Sequence, residues 1–516
     1  MGLKSKLTAA IRAFKGSQQP SAPPADAAAT RRGRQGPFQW RKFEAAATDR
    51  LNEAHWQQAD GASLNADLAL DLETLRARAA YEVANNGTVE GVIATHCEDI
   101  VGPEGPTLQV ESDDDAFDDA AEAAWRNWFY APCPNPKFSG VQLLKLWVRR
   151  LWDCGEFLGQ LTTGRDERGP ITLRVKPIHP RRLRTPLGMS GDPLTCLGIQ
   201  FTADGVPARY FIDDPTPFGN ASLNVGNYTA VPPDLIIHEF LMKEEDQSRG
   251  YPWLAGGLRA AADIRDADDQ VLDAIRQAAD AGLALYTESP QATYIEVNES
   301  APIQRRQQWT IPPGWKPLQV KPEHPATGYM EYRSERQSEI GRPVCMPLMT
   351  IRLDSSKSNY SSARFDGQNY HRACKGIQSW LSGTPNAYGC LSWLFWEVMK
   401  EAKFTDTALR RRPQTVKLRW LWPVPPHVDP TKERAAERLG IENGTLPFAA
   451  ACQANGYDEE AAFAMEVRTN RRRADRGLPP LPPPGAYLRT QDAAAVDDPG
   501  GEETTADEED PADAIA

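Results

Sequence analysis

Residues 252–286, PWLAGGLRAAADIRDADDQVLDAIRQAADAGLALY, read as one long helix, and the rest of the chain must accommodate it. Pro252 suits the first helical position, where a missing N–H costs nothing. Leu258, Ala262, Ala267, Val271, Ala274, Ile275 and Ala278 mark a stripe of mostly small side chains. Roughly 30 helical residues would reach about 45 Å. A helix of this length with so many alanines packs closely against its neighbours. The plain reading is a core helix, buried for part of its length.

What flanks the rod is mixed. Before it, periodic apolar residues predict helices from about Asp67 to the stop signal Asn85-Asn86-Gly87, then at about 89–100, 114–129 and along GVQLLKLWVRRLWDCG. After Gly155 the character changes. EFLGQLTTG, ITLRVKPI, LTCLGIQFTADGVPARYFI and DLIIHEF are strand-like runs broken by Gly, Asp and Pro. After the rod comes a strand- and turn-rich insert at about 287–325, then a shorter helix in GYMEYRSERQSEIG. Helices at about 361–381 and 387–402, a strand in QTVKLRWLW, and two small helices at about 431–439 and 458–473 complete the pattern. The fold class is α+β. At 516 residues the chain is long enough for more than one lobe.

Charge is placed unevenly. Residues 1–42 carry nine Lys and Arg against Asp26 alone, and residues 492–516 carry ten acids and no base. The long middle is net acidic, so its overall field does not draw nucleic acid. The eight cysteines form no C-x-x-C pair, and the amino-terminal residues lack the apolar core of a secretory signal, which suits reduced thiols in a cytosolic setting. No apolar run reaches the length of a membrane span. The end segments are rich in Ala, Pro and charge, and read as a flexible basic arm over 1–40 and a disordered Pro-rich and acidic tail over 477–516.

Catalytic motifs are missing. No phosphate-binding G-x-x-x-x-G-K-[ST] occurs. HEFLM starts like a zinc-protease helix, but Met242 stands where the second histidine belongs. His238 and Glu239 could form an acid–base pair, yet neighbours on a strand point to opposite faces. The seven histidines read as surface or satisfied core residues. No cofactor or metal site is expected. DSSKSNYSSARFDG, residues 354–367, interrupts the helical pattern with small polar residues. It fits a helix cap, or a binding loop on a rigid scaffold.

Five blocks, in order, are similar to one family. They are LRARAAYEVANNGTVEGVIATHCEDIVGPEG from Leu75, RGYPWLAGGLRAAADIRDADDQVLDAI from Arg249, NYSSAR from Asn359, PHVDPTKERAAERLGIENG from Pro426, and QANGYDEEAAFAMEVRTNRRRADRGL from Gln453. Together the blocks resemble the portal proteins of tailed bacteriophages, of the lambda type. That resemblance implies a ring, usually of twelve subunits, at one vertex of the head, through which double-stranded DNA is packaged and ejected.

It also implies a portal fold with wing, long-helix stem, small β-containing clip and helical crown. The wing would cover 40–251 and 343–428, the stem 252–286 and 326–342, the clip 287–325, and the crown 429–476. The polar stretch becomes a tunnel loop, with Lys357, Asn359, Tyr360 and Ser361 facing DNA. Leu258, Ala267, Val271 and Ala274 would pack the stem. Implied partners are further copies of the chain, the terminase large subunit, the major capsid and scaffold proteins, and head–tail connector proteins. The place would be the virion, after assembly in the host cytoplasm, with no membrane and no enzymatic activity. The competing expectation is a soluble hydrolase or nuclease using His238 and nearby acids of the β-rich lobe.

Overall fold

The computed structural model describes residues 61–164, 171–213, 228–279, 283–287, 315–319, 326–384, 387–402, 416–423, 430–448, 451–452 and 459–480. The basic arm, most of the 287–325 insert and the acidic segment from 492 lie outside them. Everything below belongs to the unit that begins at Ser63.

Local capping sets the first helices. The Ser63 hydroxyl accepts from the Ala66 amide and starts α1, Leu64–Asn85. Asn86 ends α1 with its backbone and starts α2, Gly87–Val101, by accepting from Thr88 and Val89. The stop signal read in the sequence is therefore also a start. Asp114 caps α3, Asp115–Tyr130, and a reciprocal Ser139–Gln142 capping box opens α4, Gly140–Asp153. Leu143, Leu144, Trp147 and Leu151 of α4 are buried in one core with Val92, Ile93 and Ile100 of α2.

Two later helices close this core from the other side: α8, Tyr360–Ser382, and α9, Cys390–Glu401. Tyr370 donates to Asp99 at 2.8 Å and Gln378 to the Ile100 carbonyl at 2.8 Å. The early strand β1, Thr107–Glu111, pairs antiparallel with β13, Lys417–Leu421, more than 300 residues on. Reading the sequence alone found the second strand and missed the first.

The β-rich part holds two sheets. In one, β2 (Phe157–Thr163) lies between β3 (Leu173–Ile178) and β8 (Ile236–Glu239). In the other, β4 to β7 (Thr195–Cys196, Ile199–Phe201, Pro207–Asp213, Tyr228–Val231) lie in chain order. A small second core of Leu158, Ile178, Leu183, Ile199, Tyr210, Ile212, Val231 and Ile236 joins them.

The long helix is shorter than its sequence suggests. Residues Trp253–Gly257 form a 3-10 turn, and α5 runs only from Leu258 to Ala279. Leu283–Thr287 is a strand, β9, paired antiparallel with β10, Trp315–Gln319. Gly282 is a poor helix former, and the Tyr and Thr that follow favour a strand once a partner supplies the ladder. The rod expected over 252–286 is thus a 22-residue helix flanked by a tight turn and a hairpin strand. The shorter helix α6 spans Ala326–Gly341, and α7 spans Leu348–Arg352. The helix expected from residue 387 starts instead at Cys390, because Ala387–Tyr388 (β12) pairs with Gly383–Thr384 (β11). Two peripheral helices, α10 (Pro430–Glu442) and α11 (Glu459–Ala474), follow β13.

Candidate functional site

Helices α5 and α6 pack antiparallel. Gly257 sits where a Cβ would meet the Ile340 Cα at 3.0 Å, and Arg333 reaches Asp268 at 3.2 Å further along. The proximal end of α5 is held in the molecule: Ala260, Ala261 and Ile264 are buried, and Arg265 pairs with Glu82 of α1 at 2.6 Å. Distally the pair turns apolar side chains to water. Leu272 and Ile275 of α5 are 44% and 52% exposed, and Met330 and Tyr332 of α6 are 47% and 43% exposed. Of the stripe residues, Ala267, Val271 and Ala274 share one strip and are half-buried. Leu258 lies two and a half turns before Ala267, on the other side of the helix, and packs against the main core.

The loop follows α7, whose last residue meets the middle of α6. Arg352, the last residue of α7, donates to the Ser334 hydroxyl of α6 at 3.1 Å and so fixes the loop base on the helix pair. Leu353 then reverses the chain with φ +51° and stands 80% exposed. Asp354 accepts from the Ser356 amide at 3.0 Å, and hydrogen bonding from the Ser356 side chain together with that amide holds its carboxyl below the usual range. Lys357, Asn359, Tyr360 and Ser361 are all exposed. The Asn359 carbonyl oxygen of the side chain accepts from Ser362 at 2.8 Å and caps α8. Both readings of this stretch therefore have a physical basis: Leu353–Ser358 is an exposed polar loop, and Asn359 is a cap.

A third feature was not anticipated. The Glu156 carboxylate is fully buried and receives Arg249 Nη2 at 2.5 Å, Arg76 Nη2 at 2.8 Å, His238 Nε2 at 3.1 Å and the Gly250 amide at 2.8 Å. Arg76 also donates to the Cys154 and Gly250 carbonyls, and Arg249 to those of Leu183, Leu197 and Pro180. Burial works against the charged carboxylate, but Arg249 and Arg76 outweigh it and hold Glu156 well below its ordinary value. Burial keeps the His238 imidazole below its ordinary value. Gly155, at φ +82°, and Gly250 leave room for this crossing, since a Cβ at either would strike the backbone facing it.

The site unites α1, the entry to β2, β8 and the segment leading to α5. Arg76 and Arg249 belong to two of the quoted sequence blocks, LRARAAYEV and RGYPWL. Glu156 belongs to none, and its single apolar-flanked acid gave no motif to find it by. His238 is thereby locked in the core rather than poised in a cleft. Glu239 points away from it, as a strand requires. Burial pushes its carboxyl up to about 7.

Among the other histidines, His96 is buried and accepts from the Trp152 indole at 2.9 Å, and His179 accepts from the Arg181 amide. His55, His324 and His427 lie outside the described residues. No cluster of potential metal ligands occurs among the described residues, and no described helix is long and apolar enough to cross a membrane.

Residues 50–378 match the pattern of the family described as phage portal protein, lambda family. A probable portal protein of Halomonas phage phiHAP-1 is 24% identical over 510 residues, covering 93% of this chain and 94% of the relative. Among solved structures, a chain from the neck of an empty GTA particle is similar over 80% of this chain and 94% of its own length, at 14% identity and a TM-score of 0.48. A portal protein of the HK97 family from Corynebacterium diphtheriae covers 69% of this chain and 96% of its own, at 11% identity and a TM-score of 0.31.

Proposed function

The chain belongs to the lambda family of phage portal proteins, and on that footing we propose that twelve copies close into a ring whose central channel passes double-stranded DNA. A portal protein is structural, not catalytic, so the hydrolase or nuclease reading of the β-rich lobe falls. Its place is the portal vertex of the virion capsid.

In the proposed ring, α5 and α6 are the stem, the β9–β10 hairpin is the visible base of the clip, and the two lobes joined at Glu156 are the wing. Residues 343–428 supply the tunnel loop and the wing helices, and 429–476 the crown. The observation that carries this reading is the α5–α6 pair itself. It is anchored in the core at one end, bears a hairpin at the other, and leaves Leu272, Ile275, Met330 and Tyr332 half-exposed. Covering the exposed half of such a side chain against a neighbouring copy is worth roughly 1 kcal/mol, about half the value for full burial. A stem helix pair in a ring has a neighbour on each side to do so.

The loop Leu353–Ser358 reaches DNA in this arrangement, with Lys357, Asn359, Tyr360 and Ser361 at its rim. Arg352, Lys357 and Arg364 are nearly offset by Asp354 and Asp366. Weak, screened contact suits DNA that must slide. The clip faces the terminase large subunit and later the connector proteins, and the wing faces the capsid and scaffold proteins. Assembly precedes DNA entry in the host cytoplasm. Electron microscopy of the purified protein in negative stain, with its native mass, tests the ring. Rings of about twelve times 57.1 kDa are expected, whereas a stable monomer or dimer under all assembly conditions would refute the proposal.

A further inference from the structure

The end of α11 carries an arginine surface. Arg468, Arg471, Arg472, Arg473 and Arg476 lie within three turns, with Asp475 the single acid among them. Arg468, Arg471, Arg472 and Arg476 are exposed; positions 468 and 472 are one helical turn apart on one face, and Arg476 follows in the closing turn. The helix dipole rewards cations in the last turn only, which leaves Arg468 without that explanation. The helix is peripheral: Phe463 meets Phe448 at 5.5 Å between ring centres, and Met465 and Val467 stand 64% and 68% exposed.

The chain turns back at this surface. Gly477, at φ +70°, ends the helix in a left-handed conformation, Leu478 donates to the Arg473 carbonyl at 2.9 Å, and Arg473 Nε donates to the Pro479 carbonyl at 2.7 Å. Fourteen residues separate Gly477 from Asp492, enough to span about 50 Å, and the helix is about 24 Å long. Ten acids and no base then follow in 492–516.

We propose that the arginine surface of α11 is the docking site of the chain's own acidic segment 492–516. Tethering so short raises the segment's local concentration to roughly the millimolar range. Many acids facing many arginines give a contact that needs no fixed fold in the segment. Duplex DNA offers the same charge, but an untethered duplex must also approach a chain that is acidic as a whole. The docked segment therefore covers a surface that would otherwise hold DNA at this end of the molecule, and it does so reversibly with salt.

Two measurements on the full chain test this. Arg472→Lys introduces an amine at the surface, and a zero-length carbodiimide reaction followed by peptide mass spectrometry reads which carboxylates touch it. Cross-links to acids within 492–513, lost in 1 M salt, are expected. Cross-links confined to Glu466 or Asp475, or none at all, would overturn the proposal.

The second measurement is binding of a short duplex at 50–100 mM salt. Removing 492–516 should tighten it about tenfold, and replacing Arg468, Arg471, Arg472 and Arg476 with Ala in the shortened chain should reverse the gain. If removal leaves binding unchanged while the arginine replacements weaken it in the full chain, DNA is the occupant and the proposal fails. Circular dichroism of each variant checks that the helix persists.

Discussion

Arg249 and Glu156 meet as fork and carboxylate in a site closed to water, with Nε at 2.9 Å and Nη2 at 2.5 Å from one carboxylate oxygen. The pair sits where the helical and β-rich parts join, and Arg76 and His238 complete it. Breaking one partner of a buried pair strands the others' charge and costs about 3–5 kcal/mol. Glu156→Gln should therefore lower the urea midpoint sharply. Arg149→Ala, which removes a half-exposed pair with Glu90, should cost under about 1 kcal/mol. Equal effects of the two would show that the buried cluster holds nothing together.

Glu239 supplies a pH dependence. Burial raises its carboxyl to about 7 in the folded chain, against an ordinary 4.5. Below pH 4.5 the group is protonated folded or unfolded and contributes nothing. Between 4.5 and 7 the unfolded chain releases the proton first, so stability falls as pH rises, by roughly 3 kcal/mol in all, and stays level above 7. Glu239→Gln should remove that slope. Denaturation midpoints at pH 5 and pH 8 check it: the gap between wild type and variant should be larger at pH 8.

The sequence carried the local signals well and the distant ones poorly. Caps at Ser63, Asn86, Asp114 and Ser139 act within three residues, and the periodicity of α4 is a property of its own turn, so the helices before Gly155 were legible. β1 was not, because Thr107–Glu111 becomes a strand through pairing with Lys417–Leu421. The end of α5 was misjudged for the same reason, since the alanine pattern runs on while a partner strand recruits Leu283–Thr287. The Glu156 cluster draws its residues from four separate segments, and nothing in one segment announces the others. In the candidate loop, local chemistry offered a cap as one of two readings, and the fold was needed to place it at Asn359 and to anchor Arg352 on Ser334.

That cap separates two roles in one stretch. Deleting 356–360 would remove Asn359 and the first residue of α8 together with the loop. Deleting 355–358 spares the cap. Asn359→Ala should cost about 1 kcal/mol of stability, and Asn359→Asp should restore it. Lys357→Ala should leave stability unchanged. If the loop meets DNA, the 355–358 deletion keeps ring assembly and impairs retention of full-length genomes. Heads that fill and hold DNA normally would leave Asn359 with capping as its whole task.

The distal α5–α6 surface gives the sharpest test of assembly. Ala274→Glu places a carboxylate on a half-buried strip, where it can also disturb packing within one chain. Ile275 is 52% exposed in the single chain, so Ile275→Glu leaves the isolated fold nearly untouched. In a ring that covers this face, the same carboxylate would be buried without a partner, at a cost of several kcal/mol in each of the repeated contacts. Rings should be lost while the circular dichroism spectrum and the denaturation midpoint of the single chain are kept. Leu272→Glu, one turn away on the same exposed surface, should act alike. Normal rings from both variants would show that neighbouring copies meet elsewhere and that this apolar face serves another contact.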